Sequence, residues 1–86
     1  MGGIDMKANN ENKNIAITFS EEEALVLLEW LHNFNEEEHP TLFQDQAEER
    51  ILFDLEAELE RVVSATFDNN YQEILSKARQ KIRDEE

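Results

Sequence analysis

Glu29 and His32 are the pair whose residue types and spacing best suit metal chemistry, since they stand one helical turn apart. An E-x-x-H pair on one helix supplies two of the ligands in di-iron bundle sites. Those sites need a second such pair, and its only match, Glu36 with His39, precedes Pro40, which disfavours helix at His39. Because Glu29 and His32 also flank the polar side of their predicted helix, we expect no metal and no cofactor. A metal-binding protein or enzyme that uses Glu29, His32 and His39 is the alternative function.

The sequence contains no other residue set that identifies a catalytic site. Ser20, Ser64 and Ser76 lack the surrounding histidine and acid pattern of a triad. Both glycines lie at the N-terminus, so no glycine-rich loop can hold a phosphate, and cysteine is absent. General acid–base catalysis by a carboxylate requires a burial that the sequence does not indicate. We therefore predict that the protein is not an enzyme.

The net charge of −13 lies in the middle of the chain. Residues 21–40 carry seven acids and no base, and residues 41–60 carry seven acids against one base, whereas acids and bases cancel in both flanks. Such a field disfavours nucleic acids and anionic membranes as partners and favours a basic protein surface. Ordinary solubility explains the same charges where they occupy helix starts, a loop and an outer helix face.

The length of 86 residues allows one small domain. A small domain without disulfides often gains stability from association, so we expect a homo-oligomer, specifically a dimer. No apolar run approaches the ~18 residues of a membrane-spanning helix, and no signal peptide opens the sequence. We therefore predict a cytoplasmic location and no membrane partner.

The N-terminal residues 1–13 are polar and have no periodicity. This composition predicts a disordered leader ahead of a single helical domain over residues 14–86. The segment IAITF at residues 15–19 alternates large apolar side chains with smaller or polar ones, which predicts a short strand with one apolar face.

A lone strand must pair its backbone groups, and pairing with a second copy across a two-fold axis is one solution. The resulting strand-helix-helix order resembles that of ribbon-helix-helix repressors, which implies a DNA-binding regulator as a further alternative. Those proteins present basic and polar side chains from the strand to the major groove. The corresponding positions here, Asn14, Ala16 and Thr18, include no base, so we expect no nucleic-acid partner.

Three helices are predicted after the strand. Ser20 and Glu23 form a capping box that starts the first helix, and Asp45 with Glu48 starts the second in the same way. The predicted bounds are 20 to about 35, 45 to about 66 and 71 to about 84, with a loop over 36–44 and a turn over 67–70. Short connections suit neighbouring helices of a bundle. The predicted fold is therefore mainly α, a three-helix antiparallel bundle with a short N-terminal β-strand.

Helical periodicity gives each helix a predicted core face. On the first helix it comprises Ala24, Leu27, Leu28, Leu31 and Phe34. On the second helix it comprises Ile51, Leu52, Leu55, Leu59, Val62, Val63 and Thr66. On the third helix it comprises Tyr71, Ile74, Leu75, Ala78 and Ile82.

Six residues form the predicted interaction surface: Val26, Trp30, Glu49, Phe53, Glu56 and Glu60. Val26 and Trp30 flank the core face of the first helix, whereas Phe53 projects from the second helix among the three glutamates. Aromatic residues anchor protein interfaces, which favours this assignment. The alternatives are that Trp30 packs under the strand or the Pro40 loop and that Phe53 is a singly exposed aromatic residue.

The segments ITFSEEEALVLLEWL (17–31) and DQAEERILFDLEAELE (45–60) resemble small bacterial conserved hypothetical proteins. The resemblance implies a bacterial or phage origin and a compact helical domain, and it brings no active-site residues. From charge and composition we predict a non-catalytic acidic protein-interaction module that self-associates and docks a basic protein partner. By analogy of size and charge, such a module suits an antitoxin or immunity-like role.

Overall fold

The computed structural model describes residues 6–63 and 69–84. Two strands, β1 (Lys7–Glu11) and β2 (Asn14–Thr18), are followed by three helices. The helices are α1 (Glu21–Asn35), α2 (Gln46–Val62) and α3 (Tyr71–Asp84). The protein is therefore mainly helical, with a short two-stranded antiparallel sheet.

The two strands form a hairpin in which Lys7 lies opposite Thr18 and Glu11 lies opposite Asn14. Its turn residues, Asn12 and Lys13, both have positive φ angles, 55° and 72°, as a tight hairpin with two turn residues requires. The prediction of disorder over residues 1–13 is therefore wrong for residues 7–13. The strand near residues 15–19 is confirmed as β2, and β1 pairs with one edge of it within the same chain, so a second copy is not needed to supply a partner strand.

The predicted start of α1 is confirmed in its atomic detail. The Ser20 hydroxyl accepts the N–H of Glu23 at 3.1 Å, and the Glu23 carboxylate accepts the N–H of Ser20 at 2.9 Å. Three glutamates in the first turn also lie at the positive end of the helix dipole. Local sequence thus fixes where α1 begins.

The cap of α2 differs from its prediction by one residue. Asp45 is the N-cap and accepts the N–H of Ala47 at 2.8 Å, but the Glu48 carboxylate accepts the N–H of Gln44 at 2.8 Å and not that of Asp45. The helix ends at Val62, since Val63 has an extended backbone. The predicted extension of α2 over residues 64–66 and the first two residues of the predicted turn, 67 and 68, fall outside the described residues, whereas Asn69 and Asn70 lie in a turn.

α1 packs against both of the other helices, and among the described residues these are the two helix pairs with extensive contact. The α1–α2 core consists of Ala24, Leu28, Leu31 and Leu59, and the α1–α3 core consists of Leu25, Leu75 and Ala78. Val63 packs against both clusters. Leu31 is fully buried, with 0% of its surface exposed.

This arrangement corrects two of the predicted core positions. Ile51 and Val62 are exposed, because α2 contacts α1 along a narrower stripe than its apolar periodicity allows. Phe34 and Ile82 are half-buried and lie outside both core clusters. Leu25, which was not predicted to be buried, is 3% exposed because α1 needs a second apolar face toward α3.

Candidate functional site

An open hollow of about 620 Å³ lies between the α1–α2 loop and the first half of α2. Its lining comprises Asn35, Glu36, Glu37, Glu38, His39, Pro40, Phe43, Gln44, Asp45, Gln46, Glu49 and Phe53. We call this feature the acidic hollow. The end of α1 and the N-cap of α2 hold its two sides, so the caps that start and stop these helices also position the site.

The acidic hollow combines negative charge with aromatic surface. Five of its lining residues are carboxylates, and none of the described lining residues is a lysine or arginine. Phe43 is half-buried, whereas Phe53 is 43% exposed. A cation that entered the hollow would meet aromatic surface and several carboxylates together.

An aromatic stack supports the loop that forms one side of the hollow. The Phe34 ring lies between Trp30, with ring centroids 4.8 Å apart, and His39, with ring centroids 3.8 Å apart. Phe43 meets Phe34 edge to face, and the His39 Nε2 atom lies 2.7 Å from the Phe34 carbonyl oxygen. These contacts occupy His39 and hold the Pro40 loop against the end of α1.

His32 connects α1 to α2 beside this loop. Its Nδ1 lies 3.0 Å from Glu56 Oε2, and its Nε2 lies 3.1 Å from Glu36 Oε2. Asn35 donates to the other Glu56 oxygen at 2.9 Å, and the Glu56 side chain is only 14% exposed. The hydrogen bond to Glu56, aided by the negative charges of Glu36, Glu56 and Glu29, raises the pKa of His32 above its ordinary value.

Glu29 belongs to the contact between α1 and α3. The Tyr71 hydroxyl donates to Glu29 Oε1 at 2.6 Å, and the Asn33 amide donates to its other oxygen at 3.2 Å. The hydrogen bond from Tyr71 lowers the pKa of Glu29, and burial followed by this hydrogen bond raises the pKa of Tyr71 to about 12. Glu29, His32 and His39 therefore have separate partners and are not grouped as the alternative metal-binding hypothesis requires.

A different set of possible metal ligands is formed across α1 and α2. Donor atoms of His32, Glu56 and Glu60 all lie within 4.8 Å of one another. Only His32 of this set belongs to the trio considered from sequence. The signal that sequence reasoning lacked is the pairing of α1 with α2, because His32 and Glu56 are 24 residues apart.

The six predicted interaction residues occupy four different environments. Glu49 and Phe53 line the acidic hollow together. Glu56 and Glu60 cluster with His32, and the Glu56 carboxylate contacts His32 and Asn35.

Val26 packs against the α1–α3 core, whereas Trp30 is 55% exposed and stacks on Phe34. Sequence reasoning missed Phe43 as a site residue, although its position three residues after Pro40 makes it a loop aromatic. The predicted site therefore lacked the side of the hollow that the α1–α2 loop forms.

A second cavity of about 410 Å³ lies where the end of α2 meets α1 and α3. Its apolar lining includes Phe19, Leu25 and Ile74, and Lys81 pairs with Glu22 at its edge with 3.5 Å between Nζ and Oε2. Both signs of charge are present there, so this crevice offers no preference for a charged ligand. The acidic hollow is the stronger candidate site because its charge is of one sign.

Comparisons with protein-family models, with curated proteins and with solved structures find no match to this chain. Among the described helices, none is long and apolar enough to cross a bilayer. Function must therefore be argued from the geometry and charge of the molecule.

Proposed function

We propose that this protein is a non-catalytic interaction module that docks a basic segment of a partner protein in the acidic hollow. The observation that carries the proposal is the grouping of five carboxylates around Phe43 and Phe53, with no lysine or arginine among the lining residues that the structure describes. The bound segment would supply the missing cations. We further infer that binding, with no reaction, is the role of this surface.

The chemistry of the hollow favours arginine or lysine side chains of the partner. A cation over an aromatic face at an exposed site contributes about 0.5–1 kcal/mol, and each exposed ion pair contributes about 0.2–1 kcal/mol. The apolar stem of the same side chain can cover Phe53 while its charged end reaches Glu49. The net charge of −13 additionally attracts a basic partner over a longer range and raises its association rate.

Titration with a short synthetic peptide tests the site. The probe carries two arginines spaced by serines, and a peptide with glutamines in place of the arginines is its neutral control. We expect the arginine peptide to shift the NMR signals of Phe43, Glu49 and Phe53 first, and its association to weaken steeply between low and physiological salt. Shifts spread evenly over all acidic residues would contradict the proposal.

Two matched pairs of substitutions distinguish binding in the acidic hollow from a general attraction of the peptide to the negatively charged chain. Phe53→Ala should weaken peptide binding about fivefold, whereas Ile51→Ala, an exposed apolar residue on the same helix, should leave it unchanged. Glu49→Gln should weaken binding about threefold, whereas Glu58→Gln, which removes the same charge from outside the hollow, should change it less. Equal effects within either pair would refute the assignment.

Self-association through Trp30 is a second proposed activity. An aromatic side chain that is 55% exposed and already stacked on Phe34 offers a rigid apolar contact to a second copy. Val26 is not included in this proposed surface, because it packs against the α1–α3 core. Light scattering should give a dimer mass for the natural chain and a monomer mass for Trp30→Glu; a monomer mass for both would exclude the dimer.

We also infer that α2 and α3 each run antiparallel to α1, in keeping with the predicted antiparallel bundle. The support comes from contacts in which the residue number on the partner helix rises as the residue number on α1 falls. These pairs are Asn35 with Leu52, His32 with Glu56, Glu29 with Tyr71, and Glu22 with Lys81. The antitoxin or immunity-like role, the bacterial origin and the cytoplasmic location stay predictions.

A further inference from the structure

We propose that His32, Glu56 and Glu60 bind a divalent transition-metal ion, with Zn²⁺ as the best-matched probe. His32 comes from α1, and the two glutamates stand four residues apart on α2, so they share one helix face. Their donor atoms lie within 4.8 Å of one another. This site departs from the expectation that the chain binds no metal, and it does not depend on the acidic hollow.

The spacing of the donors suits a small cation. Two ligands on a tetrahedral zinc ion, each about 2.0–2.1 Å from the metal, stand roughly 3.3 Å apart. The separation of His32 Nδ1 from Glu56 Oε2 is 3.0 Å, so an ion between them requires only a small outward movement of the side chains. Glu60, whose donor atom lies within 4.8 Å of the other two and must move inward, supplies the third protein ligand, which leaves a fourth position for water.

Two further residues orient the proposed ligands. Glu36 Oε2 lies 3.1 Å from His32 Nε2, so Nε2–H can donate to Glu36 while the metal ion displaces the Nδ1 proton that otherwise bonds Glu56. Asn35 donates to Glu56 Oε1 and to the Leu52 carbonyl oxygen, which holds the carboxylate in place. A carboxylate on the second nitrogen of a metal-binding histidine is the usual companion of such sites.

The ligand types decide the class of metal. An imidazole nitrogen with two carboxylates suits Zn²⁺ and its neighbours, whereas Ca²⁺ and Mg²⁺ prefer oxygen ligands alone. A chain with 21 acidic residues attracts every divalent cation to some degree. Involvement of the His32 ring is therefore what separates this site from diffuse attraction to carboxylates.

The first experiment uses the natural chain without an affinity tag and needs no substitution. The sequence contains two histidines, so nitrogen-detected NMR separates the His32 ring from the His39 ring. One equivalent of Zn²⁺ should shift the His32 Nδ1 signal strongly, leave His39 nearly unchanged and reach saturation at one ion per chain. An equal amount of Mg²⁺ should leave the His32 ring unshifted.

Calorimetric titration with Zn²⁺ supplies the second measurement. Glu56→Gln and His32→Asn should each weaken binding at least tenfold, whereas Glu58→Gln, on the same helix and paired with Arg61, should change it less than twofold. Equal weakening by Glu56→Gln and Glu58→Gln would overturn the proposal. Equal shifts of both histidine rings would also overturn the proposal. The arginine-peptide titration tests the acidic hollow separately, so its result does not depend on whether Zn²⁺ binds.

Discussion

The hydrogen bond between Tyr71 and Glu29 should give the protein a measurable loss of stability at alkaline pH. Burial of the phenol, together with this hydrogen bond and the charge of Glu29, raises the pKa of Tyr71 from 10.0 to about 12. Because the folded-state pKa lies above that of the unfolded chain, the stabilisation is complete below the unfolded value and is lost as the pH rises through about 12. The substitution Tyr71→Phe isolates this pH-dependent stabilisation, because it removes only the hydroxyl.

The size of the effect follows from the two pKa values. A difference of about two between them corresponds to roughly 3 kcal/mol, about half of which is lost between about pH 9 and about pH 11. Urea unfolding at these two pH values should therefore show the natural chain losing on the order of 1 kcal/mol more than Tyr71→Phe. Lysines titrate in both proteins, so their contribution cancels in the comparison.

Direct titration of the phenol provides the control. Tyr71 is the only tyrosine in the chain, so tyrosinate absorbance reports this group alone. The native protein should begin to ionise at higher pH than the urea-unfolded protein, and Glu29→Gln should reduce the separation. Native ionisation near pH 10.0, or parallel losses of stability in the natural chain and Tyr71→Phe, would refute the reasoning.

Three further predictions concern the fold. Leu31→Ala should lower the free energy of unfolding by about 2–5 kcal/mol in a urea titration, whereas Leu42→Ala, at an exposed loop position, should change it by less than about 0.5 kcal/mol. Ser20→Ala should cost about 1 kcal/mol by the same assay, because it leaves the N–H of Glu23 without its capping oxygen; no loss would mean that the cap is dispensable. Lys13→Gly should raise the NMR-detected population of the hairpin, because glycine adopts its φ of 72° without strain.

Local signals predicted the helix starts because capping depends on residues three positions apart. Ser20 with Glu23 and Asp45 at the second helix carry that information within one turn of sequence. β1 was not predicted because its residues are mostly polar, and they form a strand through pairing with β2. The intrinsic strand propensity of residues 7–11 does not reflect that pairing.

The parts of the candidate site that were missed depend on tertiary contacts. Periodicity placed Glu56 on the outer side of α2, but a carboxylate on a helix flank can turn toward a neighbouring helix, where His32 and Asn35 bind it. Leu25 is buried because α1 has two neighbours, which one apolar stripe does not reveal. By contrast, Glu49 and Phe53 line the hollow together, because both belong to the same exposed face of one helix.

The position of α1 between α2 and α3 has a consequence for how the domain opens. Each outer helix is held mainly by its own cluster on α1, and Val63 packs against both clusters. Opening of α3 would expose Leu25 while leaving Leu31 covered by α2. Amide exchange should then be slowest along α1, since its protection is lost only when both neighbours have separated. A partner that loosened one outer helix would thus leave a folded helical pair in place.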